Sequence, residues 1–530
     1  MYSGYYYPDS KVLKNKYNII DKKELKKRCA YDTKRIMIDL YQERPPKEFN
    51  SSYLKYLHKR LFERSFEWAG CIRGRLFQFA DATTAKMLVM RTPDFQHEFL
   101  VGHKIEKSLH QFDQILSEKN NLQNLSRKEF VDEVVELFSF LNYIHPFRDG
   151  NGRAQRIFFE KLAEAAGHKL DFSVVTKKRM IHACSNTMLK RANYEAMQHL
   201  FEDISNPEKV YILQKAIYYD SKIKRKNLND EIVMVAREGI TYSGIYKESN
   251  FDSIMVETMG SCILCCKDYF PPEQLKALKS GNEITFTIPI NRRNLDQILI
   301  PNEQLAPLKE EEIIKKIKND FRVQESIKKI KELSEFIYGK SEIVGKSISL
   351  INANPRIAGE ISQRIVNIPQ SIHKIKGKKV LGIKTSRYKT SESNSKILGT
   401  EILNYADIVS EIRHTAIRTH KAKEKRVAQV VKMPSSKLQN VLNLSKRLQL
   451  TAINDSPEIY AEMNGLIRSI TLRLSTKENN EMRNANYKAL SESIGISENK
   501  AKVITETVKK INAVLDIVQP KRPKMQYMSL

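Results

Sequence analysis

The chain is poor in the features that would tie it to an oxidising compartment or to a lipid bilayer. Its 530 residues include six cysteines, at positions 29, 71, 184, 262, 265 and 266. They form no spaced framework, which points to reduced thiols rather than a disulfide scaffold. The stretch "CILCC" contains one CxxC pair, Cys262 and Cys265, with no second pair to complete a zinc site. Cys262 and Cys265 read as buried strand cysteines. No run of about 20 apolar residues exists, so no membrane-spanning helix is expected. The opening "MYSGYYYPDS" is aromatic and polar and lacks the basic start and apolar core of a secretory signal. Export, if it occurs, is expected to use a route that reads no N-terminal signal peptide. Acidic residues are also scarce: 62 Asp and Glu stand against 90 Lys and Arg, a net charge of +28. Residues 301–530 carry +18 of that excess, and residues 361–390 hold eight basic residues and no acidic one. Such an excess favours an acidic protein face, a membrane surface or nucleic acid. Tyr388 is the lone aromatic in that basic stretch, which argues against nucleic acid, since base stacking needs aromatic platforms. A membrane surface stays open.

What is present is a multidomain, mainly α pattern. Hydrophobic residues make up 41% of the chain, enough for three or four cores at about 150 residues per domain. Residues 1–205 read as a helical domain. Ser126 and Glu129 form a capping-box pattern, and Phe130, Val134, Leu137, Phe138 and Leu141 follow at helical spacing. That helix is expected to end before Pro146, and a second to run from just after Gly150 to Gly167. Between Phe66 and Val101 the pattern predicts a β-hairpin with its turn at Ala80–Thr84. Residues 202–231 read as a charged connector. The runs "EIVMVA", "SIMVET", "SCILCC" and "EITFTIPI" predict a small all-β unit, sandwich or barrel, within 206–302. Residues 300–307 read as a linker. From Leu308 helical spacing returns, first as one long amphipathic helix through "EEEIIKKIKNDFRVQESIKKIKELSEFIYG". The expected divisions are 303–435, a helical bundle, and 436–530, a helical region ending in a basic, disordered tail.

Residues 145–153, "HPFRDGNGR", concentrate chemistry in one loop between two helices. The start of a helix exposes unpaired N–H groups and the positive end of its dipole. Gly150 and Gly152 remove side chains that would block an anion, making a phosphate nest. Asn151 adds an amide donor. Arg153 and Arg156, three apart, share a face and can hold outer phosphates by forked bonds. Asp149 beside bound phosphates calls for a bridging cation, and Mg²⁺ fits. His145 suits a general base for a hydroxyl nucleophile. Pro146 and Phe147 anchor the loop, Phe147 by its apolar ring. Each residue alone has an ordinary use in a turn or a solvated face; their combination in nine positions is what points to an anion site.

These residues satisfy every fixed position of the Fic signature, H-P-F-x-[D/E]-G-N-G-R-x-x-R, so the chain resembles Fic enzymes, which move AMP from ATP to a protein hydroxyl. The resemblance implies that His145 deprotonates the target, that Asp149 binds Mg²⁺, that Gly150, Asn151 and Gly152 bind phosphate, and that Arg153 and Arg156 hold the β/γ end. Gly152, where phosphorylating relatives have Lys, implies attack at the α-phosphate. The segment "EWAGCIR" at 67–73 resembles the one before the Fic flap, which implies that Phe79, Ala80, Asp81 and Ala82 form an edge aligning the target by β-augmentation. The inhibitory pattern [S/T]-x-x-x-E-[G/N] of many relatives has no match here, which leaves room for a separate small antitoxin. "KRANYEAMQHLF" lacks the Gly-Asp often found there, so the adenine pocket is less defined than the phosphate site. "YPDSKVLKNKYNI", "EKLAEAAGHKLDFSVVTKKRM" and "MQHLFEDISNPEK" look like the type IV-secreted Fic effectors of Bartonella. That likeness implies a Fic domain, an OB-like β domain and a BID bundle whose basic tail is read by a secretion coupling protein, followed by action on a host protein in the host cytosol. Two alternatives stay open: an adaptor binding host protein or membrane through its helical C-terminal part, and a Fic transferase using another donor such as UTP or CDP-choline.

Overall fold

The computed structural model describes residues 4–92, 97–188, 192–224, 227–290, 293–380 and 383–518. The basic tail from 519 onward lies outside them, as do Lys190 and Arg191 of "KRANYEAMQHLF". The chain forms two compact units: residues 1–270, 277–292 and 496–499 make the first, and residues 271–276, 293–495 and 500–530 the second.

The first unit begins with helices α1 (Lys22–Gln42) and α2 (Ser51–Phe62), then the hairpin strands β1 (Phe77–Gln78) and β2 (Thr84–Ala85). Helices α3 (Ile105–Glu118), α4 (Arg127–Ile144), α5 (Asn151–Ala165), α6 (Lys177–Thr187), α7 (Glu195–Ile204) and α8 (Pro207–Tyr218) follow. The Ser126–Glu129 capping box forms in both directions and starts α4. The helix stops at His145, which takes a left-handed conformation (φ 45°, ψ 61°) ahead of Pro146. α5 opens at Gly150, also left-handed at φ 83°. Phe130, Val134, Phe138, Leu141, Ala154, Ile157, Phe158 and Leu162 are all buried in one core.

The charged connector expected over 202–231 is largely helical. Asn206 caps α8 through the Glu208 N–H, Pro207 fills its first position, and Ile212, Leu213 and Ala216 face inward. The lysines and glutamates between them mask that apolar stripe in the sequence.

The β unit is a five-stranded sheet of β3 (Val233–Val235), β4 (Thr241–Ser249), β5 (Ser253–Thr258), β6 (Ser261–Cys266) and β7 (Glu283–Thr287), in the order β3-β6-β5-β4-β7. Only the β3–β6 pair is parallel. Cys262 and Cys265 are buried strand cysteines. Val233, Val235, Met255, Cys262 and Leu264 share the core of the helices, so no boundary between cores falls at residue 205. A fully buried carboxylate secures that continuity. Asp203 accepts from Arg179 Nη2 (2.8 Å), Lys209 Nζ (2.9 Å) and the Val235 N–H (3.0 Å). Burial works to raise its pKa, but Arg179, His199 and Lys209 outweigh that and hold it at about 2.

The second unit holds the short elements α9 (Pro272–Ala277), α10 (Arg293–Asp296) and β8 (Ile298–Ile300). Then come α11 (Glu310–Asn319), α12 (Phe321–Tyr338), α13 (Gly345–Ala353), α14 (Ala358–Asn367), the paired strands β9 (Lys379–Val380) and β10 (Ile383–Lys384), and α15 (Ser386–Val427). The one long helix expected from Glu310 is two, because Asp320 is extended (ψ 130°) and caps α12 through the Arg322 N–H. Ile317, Val323, Ile330, Ile351, Ile365, Leu398, Tyr405 and Val409 fill this bundle. Strand β11 (Val431–Lys432) pairs with β8, and α16 (Ser436–Leu442), α17 (Lys446–Asp455), α18 (Pro457–Arg473), α19 (Thr476–Arg483), α20 (Tyr487–Ile494) and α21 (Glu498–Val518) complete the chain. Buried Arg473 donates to the carbonyls of Gln429 (3.0 Å) and Pro301 (2.9 Å), so contacts cross position 435 and reach the segment read as a linker. Among the described residues no helix is long and apolar enough to cross a membrane.

Candidate active site

The nine-residue loop runs from the end of α4 to the start of α5, and buried side chains from three other segments hold it. Phe147 is buried and stacks on His58 of α2, ring centres 3.8 Å apart. His58 is itself fully buried. Its Nδ1 accepts the Gly70 N–H at 2.9 Å, which leaves the proton on Nε2 to be donated to the Asp149 carbonyl at 2.8 Å. Burial pushes its pKa down to about 4, so this ring is neutral. A side chain at Gly150 would strike the Phe62 ring at 2.4 Å, on top of the strain of its positive φ.

His145 stacks on Phe99 with ring centres 3.7 Å apart and an 18° tilt. Burial, then the charge of Arg73, drive its pKa down to about 3, against a hydrogen bond from the ring to the Asn142 backbone. The imidazole is therefore neutral and able to accept a proton. Asp149 Oδ1 accepts the Gly150 N–H at 2.7 Å, and Oδ2, on a half-exposed side chain, is 3.9 Å from Arg153 Nη2. Arg153 lies over the Phe62 ring, 4.4 Å from its centre. Arg156 Nη1 would stand 3.3 Å from a Cβ at Gly152, which puts this guanidinium at the foot of the nest. It also lines a cavity of about 990 Å³ with Tyr41, Glu160, Met37 and Met180. Asp149, Gly150, Gly152, Arg153 and Arg156 thus gather around one helix start, with His145 at the other end of the same loop.

Two sequence readings need correction. The Asn151 amide was expected to face phosphate. Its Oδ1 instead accepts the Phe147 N–H and its Nδ2 donates to the Phe147 carbonyl, both at 2.8 Å, so the side chain braces the loop. The segment Phe79–Ala82 was expected to be the edge that aligns the target. It is the turn of the hairpin, with Phe77 opposite Ala85 and Gln78 opposite Thr84. The Phe79 N–H goes to Thr83, the Ala82 N–H to Phe79 and the Ala80 N–H to the Glu67 carboxylate, while the Phe79 ring is buried. Asp81 is exposed and bonded to Lys14.

Three participants escaped the sequence. His58 is one. Arg73, fully buried, is the second: it donates to the carbonyls of His145 (2.9 Å), Met87 (3.3 Å), Leu88 (3.1 Å) and Leu100 (2.5 Å). Arg73 sits in the quoted "EWAGCIR", the one signal that could have found it. Lys14 is the third, reaching Asp81 Oδ2 (2.9 Å) and Thr83 Oγ1 (2.7 Å).

Comparisons with known proteins agree with this geometry. Residues 48–163 match the Fic/DOC family, and residues 234–286 match the intracellular delivery domain. A "Protein adenylyltransferase" from Bartonella henselae is 41% identical over 510 residues, covering 96% of this chain and 93% of that one. A "Probable protein adenylyltransferase Fic" from Escherichia coli is 28% identical over 200 residues, 38% of this chain and 90% of the relative. The solved "Type IV secretion system effector protein BepA" is 47% identical with a TM-score of 0.51, covering 54% of this chain and 96% of its own. With the motif loop, its supporting shell and a relative alike along nearly the whole length, the chain belongs to the Fic/DOC family of protein adenylyltransferases.

Proposed function

We propose that the chain moves AMP from ATP to a Ser, Thr or Tyr hydroxyl of a host protein after delivery by a type IV secretion system. The observation that carries this reading is a neutral imidazole, His145, at the head of the loop whose other end is a glycine nest flanked by Arg153 and Arg156. His145 takes the proton of the target hydroxyl as its oxygen bonds to the α-phosphorus. The bond from that phosphorus to the β-bridging oxygen breaks, and pyrophosphate leaves. The N–H groups at the start of α5 bind phosphate oxygens, and the two arginines hold the β/γ end. The negative charge of a bound triphosphate raises the imidazole pKa from its low resting value, toward the range where a general base works best.

Asp149 is the residue that would hold Mg²⁺. Its Oδ2 faces outward beside the nest, and no cluster of three acidic, His or Cys ligands forms among the described residues. That donor set suits Mg²⁺, which binds through one or two carboxylates plus substrate phosphates. When bound, the ion offsets phosphate charge.

Delivery is supported by the match to the intracellular delivery domain and by the likeness to a secreted effector. A secretion coupling protein with an acidic face is the partner we assign to the basic C-terminal part.

The test uses ATP labelled at either the α- or the γ-phosphate, with host-cell lysate as acceptor. Protein labelled from the α position, and lost in His145→Ala, is expected. Transfer from the γ position with none from α overturns the reading.

A further inference from the structure

We infer that Arg73 is the positioning residue that fixes His145 relative to the hairpin, an inference that rests on the transfer reaction proposed above. Arg73 follows the Gly70 turn and lies wholly inside the first unit. Among the described residues its guanidinium has no carboxylate partner; its bonds go to four backbone carbonyls on three separate segments. Nε holds the His145 carbonyl, Nη1 holds Met87 and Leu88 just beyond β2, and Nη2 holds Leu100, next to the Phe99 ring on which His145 stacks. The main chain repeats the connection: the Arg73 N–H bonds the Pro146 carbonyl at 2.9 Å, and the Met87 N–H bonds the Arg73 carbonyl at 2.8 Å.

A buried cation is costly unless its donors are satisfied. A plain tie between loops could be made by neutral groups. A rigid fork with five N–H donors is what can hold three segments at once in fixed geometry. The segments it joins are the base and the stretch just beyond the hairpin, and the acceptor hydroxyl is taken to be presented beside that hairpin. Their separation decides whether the proton and the attacking oxygen are in reach, and an error of about 1 Å in such a placement can cost about 10²-fold in rate.

Arg73→Lys in the full chain is the variant of choice, since it keeps the charge and removes the fork. Transfer of α-label to lysate protein at saturating ATP is expected to fall about 10²-fold, with the KM for ATP unchanged. Adding His145→Ala to it is expected to cost nothing beyond His145→Ala alone. Loss confined to the KM for ATP, or a fully multiplicative double variant, overturns the inference. A second measurement needs no variant. In the wild-type chain, native-state amide exchange at residues 84–90, 98–102 and 145–150 is expected to report one shared opening free energy. Separate openings overturn the inference whether or not the variant folds. Should wild-type protein move no α-label at all, the transfer reading fails, and the exchange measurement decides Arg73 by itself.

Discussion

His58 Nε2 lies 2.8 Å from the Asp149 carbonyl oxygen, a bond that joins α2 to the centre of the motif loop across 91 residues of sequence. With Nδ1 bound to the Gly70 N–H and the ring face on Phe147, the imidazole leaves no polar atom unmatched. His58→Phe keeps the ring and strands both an N–H and a carbonyl inside the protein. At about 1–3 kcal/mol for each buried group left unpaired, it should destabilise the first unit and loosen the loop. Denaturant unfolding checks the first effect and α-label transfer the second; a variant as stable and active as wild type refutes the role.

Acid should weaken the first unit well above the pH at which carboxylates titrate. His58 and His199 are both buried, and burial lowers each pKa to about 4. In the unfolded chain both titrate near 6.5. The stability that comes from keeping them neutral is complete above about pH 6.5 and declines as the pH falls toward 4, because the unfolded chain takes up protons that the fold refuses. The slope is about 1.4 kcal/mol per pH unit for each histidine. His199 sits among Asp203, Arg179, Lys209 and Arg237, and Asp203 softens its share. Thermal unfolding at pH 7 and pH 5 should show a lower midpoint at pH 5, with a smaller drop in His58→Phe. Equal midpoints would contradict it.

Gly150 and Gly167 offer a controlled comparison. Both have left-handed backbones, at φ 83° and 79°. A methyl group at Gly167 meets nothing within 4 Å, whereas one at Gly150 meets Phe62 at 2.4 Å and His58 Nε2 at 3.1 Å. Gly167→Ala should therefore carry backbone strain alone, about 1–2 kcal/mol, and keep its activity. Gly150→Ala adds overpacking, about 1–3 kcal/mol more, and moves the nest, so label transfer should collapse. Equal activity in the two variants would remove the distinction.

The sequence revealed what is local and missed what closes over distance. The capping box at Ser126–Glu129, the stop before Pro146 and the glycine entry to α5 each depend on neighbours within a few residues, and all three stand in the structure. Strands β5 and β6 fall on the quoted runs "SIMVET" and "SCILCC". The interior strand β4 is hidden in the pattern: "TYSGIYKES" alternates, but its exposed face is polar and Gly244 interrupts it. Gly244 is needed there because a Cβ would lie 2.3 Å from the Glu257 carbonyl oxygen on the neighbouring strand. Arg73, His58 and Lys14 bind partners 12 to 91 residues away, and only Arg73, inside "EWAGCIR", has a local signal. Asn151 misled because an amide in a glycine turn can face either an anion or its own loop.

Lys14 gives the hairpin a support outside its own sequence. The N-terminal arm folds back through the Tyr6–Leu13 bridge. Tyr5 packs edge-on against Trp68 and Phe79, at 5.7 and 6.4 Å between ring centres. Tyr6 bonds Arg148 of the motif loop. Lys14 Nζ rests 4.9 Å from the centre of the Phe79 ring while it binds Asp81 and Thr83. The bonds from Thr83 and from Lys14 hold the exposed Asp81 carboxyl down at about 2, so this tie persists across the working pH range. An exposed ion pair adds little to global stability, and Lys14→Met, which keeps the aliphatic stem, should barely move the melting midpoint. Its effect should appear in the acceptor instead. With the turn unpinned, amide exchange at 79–83 should accelerate, and label transfer at low lysate concentration should fall and recover at high concentration, with the KM for ATP unchanged. If acceptor dependence is the same in Lys14→Met and wild type, the arm does not brace the hairpin for target binding.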